Sequence, residues 1–125
     1  MYVLDSSAII EIIEDYSTKE TILSLLKDEI LTITSITVHE VLLGVVTEKQ
    51  KSAVHTCLYA ARILEHDEAA ARHGALIEQE LTRAGTKINR FDVLIAGICK
   101  SNNAHLVTLD ADFSKIKDLS VTVIK

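Results

Sequence analysis

The 125-residue chain has no proline, only four glycines and two cysteines, and it carries fewer basic than acidic residues. No stretch has the composition of a linker, since Ser/Gly-rich and low-complexity runs are also missing. The expectation is therefore one domain over residues 1–125, close to the roughly 100 to 150 residues typical of domains. Cys57 and Cys99 lie in helical patterns without CxxC or Cys/His spacing, which argues against zinc and for buried free thiols. With 13 basic and 18 acidic residues the net charge is -5, which argues against broad electrostatic attraction to nucleic acid. That argument weakens if several acids are neutralised in one site, because the remaining surface is then near neutral. Apolar runs such as SAII and VLIAGI fall far short of the roughly 20 residues a bilayer crossing needs. Met1 leads straight into YVL with no basic leader, so a soluble, cytoplasmic protein is expected. There is no internal repeat.

What the chain does have is apolar content, 48%, arranged in alternating short strands and helices. Strand-like segments recur at Tyr2 to Leu4, Leu31 to Thr34, Arg62 to Glu65, His105 to Thr108 and Val121 to Ile124. Helical patterns separate most of them, which reads as an α/β fold with a mainly parallel sheet covered on both faces. Ser6 or Ser7 is expected to cap the first helix, and Ser17 to Glu20 has the form of a capping box before a second short helix. Ser35 and Thr37 open a third, and Glu48 to Ala61 forms a fourth. Asp67 caps a long helix whose Ala70, Gly74, Ile77, Leu81 and Ala84 make one stripe, with Gly85 as its left-handed terminator. Asn89 caps the last helix, whose Val93 to Ile98 leave little polar face.

Five carboxylates sit where an apolar stretch ends or a helix begins: Asp5, Glu40, Asp92, Asp110 and Asp112. In open α/β sheets ligands bind beyond the carboxyl ends of the strands. Asp5 and Asp110 leave strands there, while Glu40 and Asp92 lie in first turns of helices that begin on the same edge. If such acids converge, each close pair repels by roughly 4 kcal/mol at 4 Å for an effective dielectric constant of 20. A fold stable by about 5 to 15 kcal/mol needs compensation for that, from protons or cations. An all-oxygen site suits hard divalent cations and, through them, phosphodiester chemistry. Each acid also has an ordinary explanation. Asp5 could cap the first helix, Glu40 could complete a capping box with Thr37, Asp92 could do so with Asn89, and Asp110 and Asp112 could be turn residues.

The ordered blocks LDSSAII, SITVHEVLLG, FDVLIAG and LVTLDADF resemble those of PIN-domain ribonucleases, most closely the VapC toxins, and they span the whole chain. The resemblance implies a three-layer α/β/α sandwich with a central parallel sheet. It also implies an acidic pocket binding one or two Mg²⁺ or Mn²⁺ ions and RNA as a substrate cut by metal-activated water. Carried over by position, Asp5, Glu40, Asp92 and Asp110 are the catalytic and metal-site acids, with Asp112 as a possible fifth ligand. Ser7 and Thr108 match hydroxyl positions that orient an acid or a water. Asp110 stands where many relatives have Asn, which leaves open whether Asp110 or Asp112 touches metal. The resemblance further implies a homodimer held inactive by a VapB-like antitoxin. The helices at Ile22 to Lys27 and Glu48 to Ala61 could serve such contacts or simply pack in the core.

Lys87 and Arg90, just before Asp92, could contact RNA phosphates. The five histidines share no ligand spacing, and His39, though next to Glu40, points about 100° away on a helix and suits a surface role. Three other classes compete with a toxin nuclease. An RNA-processing PIN nuclease needs no antitoxin, a silent PIN-like scaffold predicts a broken acid set, and a receiver-like module needs a phosphoacceptor Asp and a downstream Lys that are not evident.

Overall fold

The computed structural model describes residues 1–125. Its elements run β1 (Tyr2–Leu4), α1 (Ser6–Ile13), α2 (Lys19–Leu26), β2 (Thr32–Thr34), α3 (Ser35–Leu43), α4 (Glu48–Ala60), β3 (Arg62–Leu64), α5 (Glu68–Arg83), α6 (Arg90–Ser101), β4 (His105–Thr108), a 3₁₀ helix (Ala111–Lys115) and β5 (Val121–Val123). All ladders are parallel: β1 pairs with β4 and β4 with β5, while β2 pairs with β3. The resulting three-stranded and two-stranded sheets lie side by side, with β2 next to β1. Strand order is thus β3-β2-β1-β4-β5, and the chain reverses its direction of travel between β1 and β4. That reversal is the topological switch point where α/β folds open a crevice.

Side-chain alternation along the strands builds the layers. Val3 and Leu106 point into one core with Ile77, Leu81, Ile95 and Ile98 of α5 and α6. Leu4 and Val107 point into the other, with Ile9, Ile22, Val41 and Val54 from α1 to α4. Adjacent strand residues face opposite sides, so β1 and β4 each feed both cores, and the expected three-layer α/β/α sandwich forms. The strands match the sequence expectation except at their ends, where β2, β3 and β5 are each one residue shorter.

Helix starts depart further. Asp5, rather than Ser6 or Ser7, caps α1 through Ala8 N–H, and Thr34 caps α3 through Thr37 N–H. The Ser17 to Glu20 capping box does not form: Thr18 is the cap residue of α2 and makes no capping bond, its hydroxyl being turned to Glu11. A capping box does occur at Thr47 and Gln50, before α4. Asp67 and Asn89 cap α5 and α6 as expected, and Gly85 takes a φ of 69° after α5. In the α5 stripe Ala84 is exposed, because it already lies past the last helical turn. Both thiols are free. Cys99 is buried, and burial pushes its thiol up to about 12, whereas Cys57 is only partly covered.

The closest packing is between α5 and α6, and glycine makes it possible. A Cβ on Gly97 would stand 2.7 Å from the Ala70 carbonyl oxygen and 2.9 Å from the Gly74 nitrogen. Those are backbone atoms, which cannot swing aside. Gly97→Ala is expected to cost about 1 to 3 kcal/mol through overpacking, read as a fall in Tm of about 4 °C or more. An unchanged Tm would show that the two helices can separate freely. Since α6 carries Asp92, this contact also helps set where that acid stands.

Candidate active site

At the switch point a polar cleft of about 300 Å³ is lined by Asp5, Glu40, Asp92, Asp110 and Asp112, and no apolar side chain contributes to it. All five acids expected from the sequence therefore meet in one place. Ser6, Ser7 and Asn89 complete the wall. A larger depression of about 710 Å³ runs along α5, but Glu78 is its single acid, so the carboxylate chemistry belongs to the smaller cleft.

Asp5 is 4% exposed and is gripped from the first turn of α1 and from the end of β4. Ser7 Oγ donates to Asp5 Oδ1 at 2.7 Å and Thr108 Oγ1 donates to Oδ2 at 2.7 Å. Behind them, Leu109 N–H donates to Ser7 Oγ and Asp110 N–H to Thr108 Oγ1, both at 3.0 Å. The two hydroxyl oxygens come within 3.2 Å of each other, each with its proton spent on Asp5. The ends of β1 and β4 are thus tied together through one carboxylate, and the hydroxyls marked by the resemblance both orient it. Burial raises the Asp5 pKa above the ordinary 3.8, opposed by the hydrogen bonds from Thr108, Ser7 and Ala8.

Ser6, one residue earlier on α1, donates to Glu40 Oε1 at 2.5 Å. Consecutive helix residues point about 100° apart, so the paired serines serve two different acids. Glu40 consequently makes no capping box with Thr37. Asp92 makes none with Asn89 either, since Asn89 Oδ1 accepts from Phe91 N–H. Asp92 sits in the first turn of α6, where the helix dipole favours an anion. Its pKa is nevertheless pushed up to about 7, by burial first and then by the charges of Asp110, Asp5, Glu40 and Asp112. Burial, joined by four neighbouring acids, outweighs one helix end.

Asp110 caps the 3₁₀ helix with Oδ1, leaving Oδ2 uncommitted, while Asp112 pairs with Lys115 at 2.8 Å. The turn reading of these two residues is therefore correct and compatible with a place in the cleft. Arg90 is drawn away from the cleft by a two-pronged pair with Glu78, at 3.1 and 3.0 Å. Lys87 is exposed in the α5–α6 turn. His39 is exposed and packs edge-on against Phe91, outside the cleft. Sequence reasoning missed Ser6 and Asn89 as cleft residues because both look sufficiently explained as helix caps. The doubled serine after Asp5 was the available signal.

The donor set fits a hard cation: carboxylate and hydroxyl oxygens, mutual repulsion and an open, polar mouth. No three acid, histidine or cysteine side chains are already drawn to the spacing of a closed shell. The match is to an ion that keeps several waters and takes few direct carboxylates, as Mg²⁺ does.

Fold and cleft together define a doubly wound α/β protein with an acidic centre at its switch point. The sequence matches the PIN domain model over residues 2–119, and the chain belongs to that family. It is 31% identical over 80 residues to the tRNA(fMet)-specific endonuclease VapC of Shigella flexneri; the aligned stretch is 61% of each chain, so the match spans under two thirds of that relative. Its fold matches VapBC2 from Rickettsia felis bound to a promoter DNA fragment, with a TM-score of 0.88 at 25% identity, covering 99% of this chain and 98% of that one. It also matches a DNA-bound VapBC from Salmonella typhimurium, with a TM-score of 0.86 at 26% identity, covering 98% and 96%. No helix is long and apolar enough to cross a membrane.

Proposed function

We propose that residues 1–125 act as a single PIN domain that hydrolyses RNA phosphodiester bonds with Mg²⁺ or Mn²⁺, as the toxin of a VapBC-type pair. The observation that carries this reading is the cleft walled by five acids and no apolar side chain at the switch point. Asp5, Glu40, Asp92 and Asp110 would hold the cation, with Asp112, already paired to Lys115, in an outer position. When bound, the ion supplies charge neutralisation for the phosphate and lowers the pKa of a bound water.

The chain's own residues do the rest. Ser7 and Thr108 fix both oxygens of Asp5, so its orientation costs nothing at the moment of reaction. Ser6 fixes Glu40. Asp92, raised to about 7 in the metal-free fold by burial and by the neighbouring acids, would be ionised by the cation it helps to hold.

The partner reading draws on the complexes that the fold resembles and on a second cleft. Ile10, Ile13, Tyr16 and Val45 line one side of a mixed groove of about 250 Å³ that Glu14, Glu40 and Gln50 also line. A VapB-like segment seated there would reach the acids. Exposed Leu43, at the end of α3, and Val46 just after it offer an apolar surface to a second copy, in keeping with a homodimer. α2 is better explained by core packing, since Ile22 and Leu26 are buried, while α4 buries Val54 and leaves Tyr59 95% exposed.

Chelation with EDTA is expected to stop cleavage of tRNA by the purified protein, and added Mn²⁺ to restore it. Cleavage that persists in excess chelator would overturn the metal-dependent mechanism.

A further inference from the structure

The proposed reaction brings an anion to a wall of acids, and the cation alone must offset that repulsion unless the wall also holds a donor. Most of its side-chain donors are already spent. The Ser6 hydroxyl proton lies on Glu40 and the Ser7 proton on Asp5. The nearest guanidinium, Arg90, is committed to Glu78. Asn89 is the exception. It lines the cleft with the five acids, and its Oδ1 is taken by Phe91 N–H at 2.8 Å, which fixes the amide. The cap assigns the oxygen, so the other end of the side chain is the NH₂ group. That group makes no hydrogen bond within the protein.

We infer that Asn89 is a substrate-positioning residue, its amide donating a hydrogen bond to a non-bridging oxygen of the phosphodiester seated over the acids. The inference rests on the nuclease reading above. A neutral amide suits this place better than a lysine: it donates to a phosphate oxygen without competing with the cation for the carboxylates. Asn89 is exposed at the cleft mouth, and its capping bond orients the amide before substrate arrives, which reduces the freedom lost on binding. Asn89 thus has two tasks, and only one of them needs nitrogen.

Two substitutions separate the tasks. Asn89→Ser keeps a capping oxygen and removes the amide donor. Asn89→Asp keeps an equally good cap and replaces the donor with a charge that repels phosphate. With bulk tRNA as the probe and Mn²⁺ present, Asn89→Ser is expected to lower kcat/KM about tenfold to a hundredfold, the effect of losing one hydrogen bond to a charged acceptor. Asn89→Asp should lower it further. For Asn89→Ser the melting temperature should stay at the wild-type value and Mn²⁺ affinity measured by calorimetry should not fall, whereas Asn89→Asp adds an acid to the cleft and should melt lower in chelator. If Asn89 only caps α6, Asn89→Ser will cleave within about twofold of wild type whatever the added charge does in Asn89→Asp, and the inference is overturned. A wild-type protein that does not cut RNA overturns the nuclease reading itself and this role with it. Wild-type cleavage beside an unaffected Asn89→Ser variant overturns the Asn89 role alone.

Discussion

Asp92→Asn is expected to reduce metal-dependent RNA cleavage about a thousandfold or more and, with metal removed, to make the protein more stable at pH 8. The two effects share one cause. Asp92 lies among four other acids, and in the metal-free fold its pKa stands at about 7 against an ordinary 3.8. Between those values the folded protein holds a proton that the unfolded chain has lost. Stability therefore falls as pH rises through the window: the Asp92 contribution is complete below 3.8 and gone above about 7. Asp5, whose pKa is also raised, acts in the same direction.

Asparagine removes the ionisation and keeps the shape. Because Asp92 is only half-buried, solvent screening reduces the gain at pH 8 to about 1 to 2 kcal/mol. The gain should shrink as pH is lowered to 5. Urea melts of both proteins in chelator at the two pH values measure it. A stability difference that does not change with pH would remove the raised pKa, and wild-type cleavage by the variant would remove Asp92 from the site. Added Mn²⁺ should narrow the gap at pH 8, because the cation relieves in the wild type the same repulsion that asparagine abolishes.

Thr108→Val should lose about 1 to 3 kcal/mol of stability together with about a hundredfold in cleavage, although Thr108 is fully buried and lies outside the cleft lining. Its hydroxyl donates to Asp5 and receives Asp110 N–H. Valine has the same shape without the oxygen, so it strands a buried carboxylate oxygen and a backbone donor at once. The Asp5 pKa should rise further, since a bond that favoured the ionised form is gone. Thr108→Ser keeps the hydroxyl and should recover most of the activity despite losing a methyl group. If serine rescues no better than valine, the hydroxyl is not what positions Asp5.

The parts of the fold that could be read from sequence are those where one residue's neighbours along the chain decide its state. Short runs rich in apolar and β-branched residues, separated by helical patterns, located all five strands. Asp67, Asn89 and Gly85 announced their helix ends through local hydrogen bonding and backbone freedom. Errors came where one local signal had two outlets. Thr18 turned to Glu11 instead of capping α2, and the serines after Asp5 were free to serve acids because Asp5 itself capped α1. A capping motif states what a side chain can reach, and the folded chain offered these side chains other partners.

The candidate site divides along the same line. Sequence by itself determined the PIN family through four ordered blocks, and it identified the five acids, although Glu40 lies in the second turn of α3 rather than the expected first. Tertiary structure alone decided that all five share one cleft, since β1, α3, α6 and β4 are brought together only by the strand order at the switch point. It also decided the state of each acid: Asp5 pinned between two hydroxyls, Glu40 held by Ser6, Asp92 raised to about 7, Asp110 with a free oxygen and Asp112 tied to Lys115. Charge repulsion and burial depend on distances through space, and separations along the chain, such as the 103 residues between Asp5 and Thr108, carry no record of them.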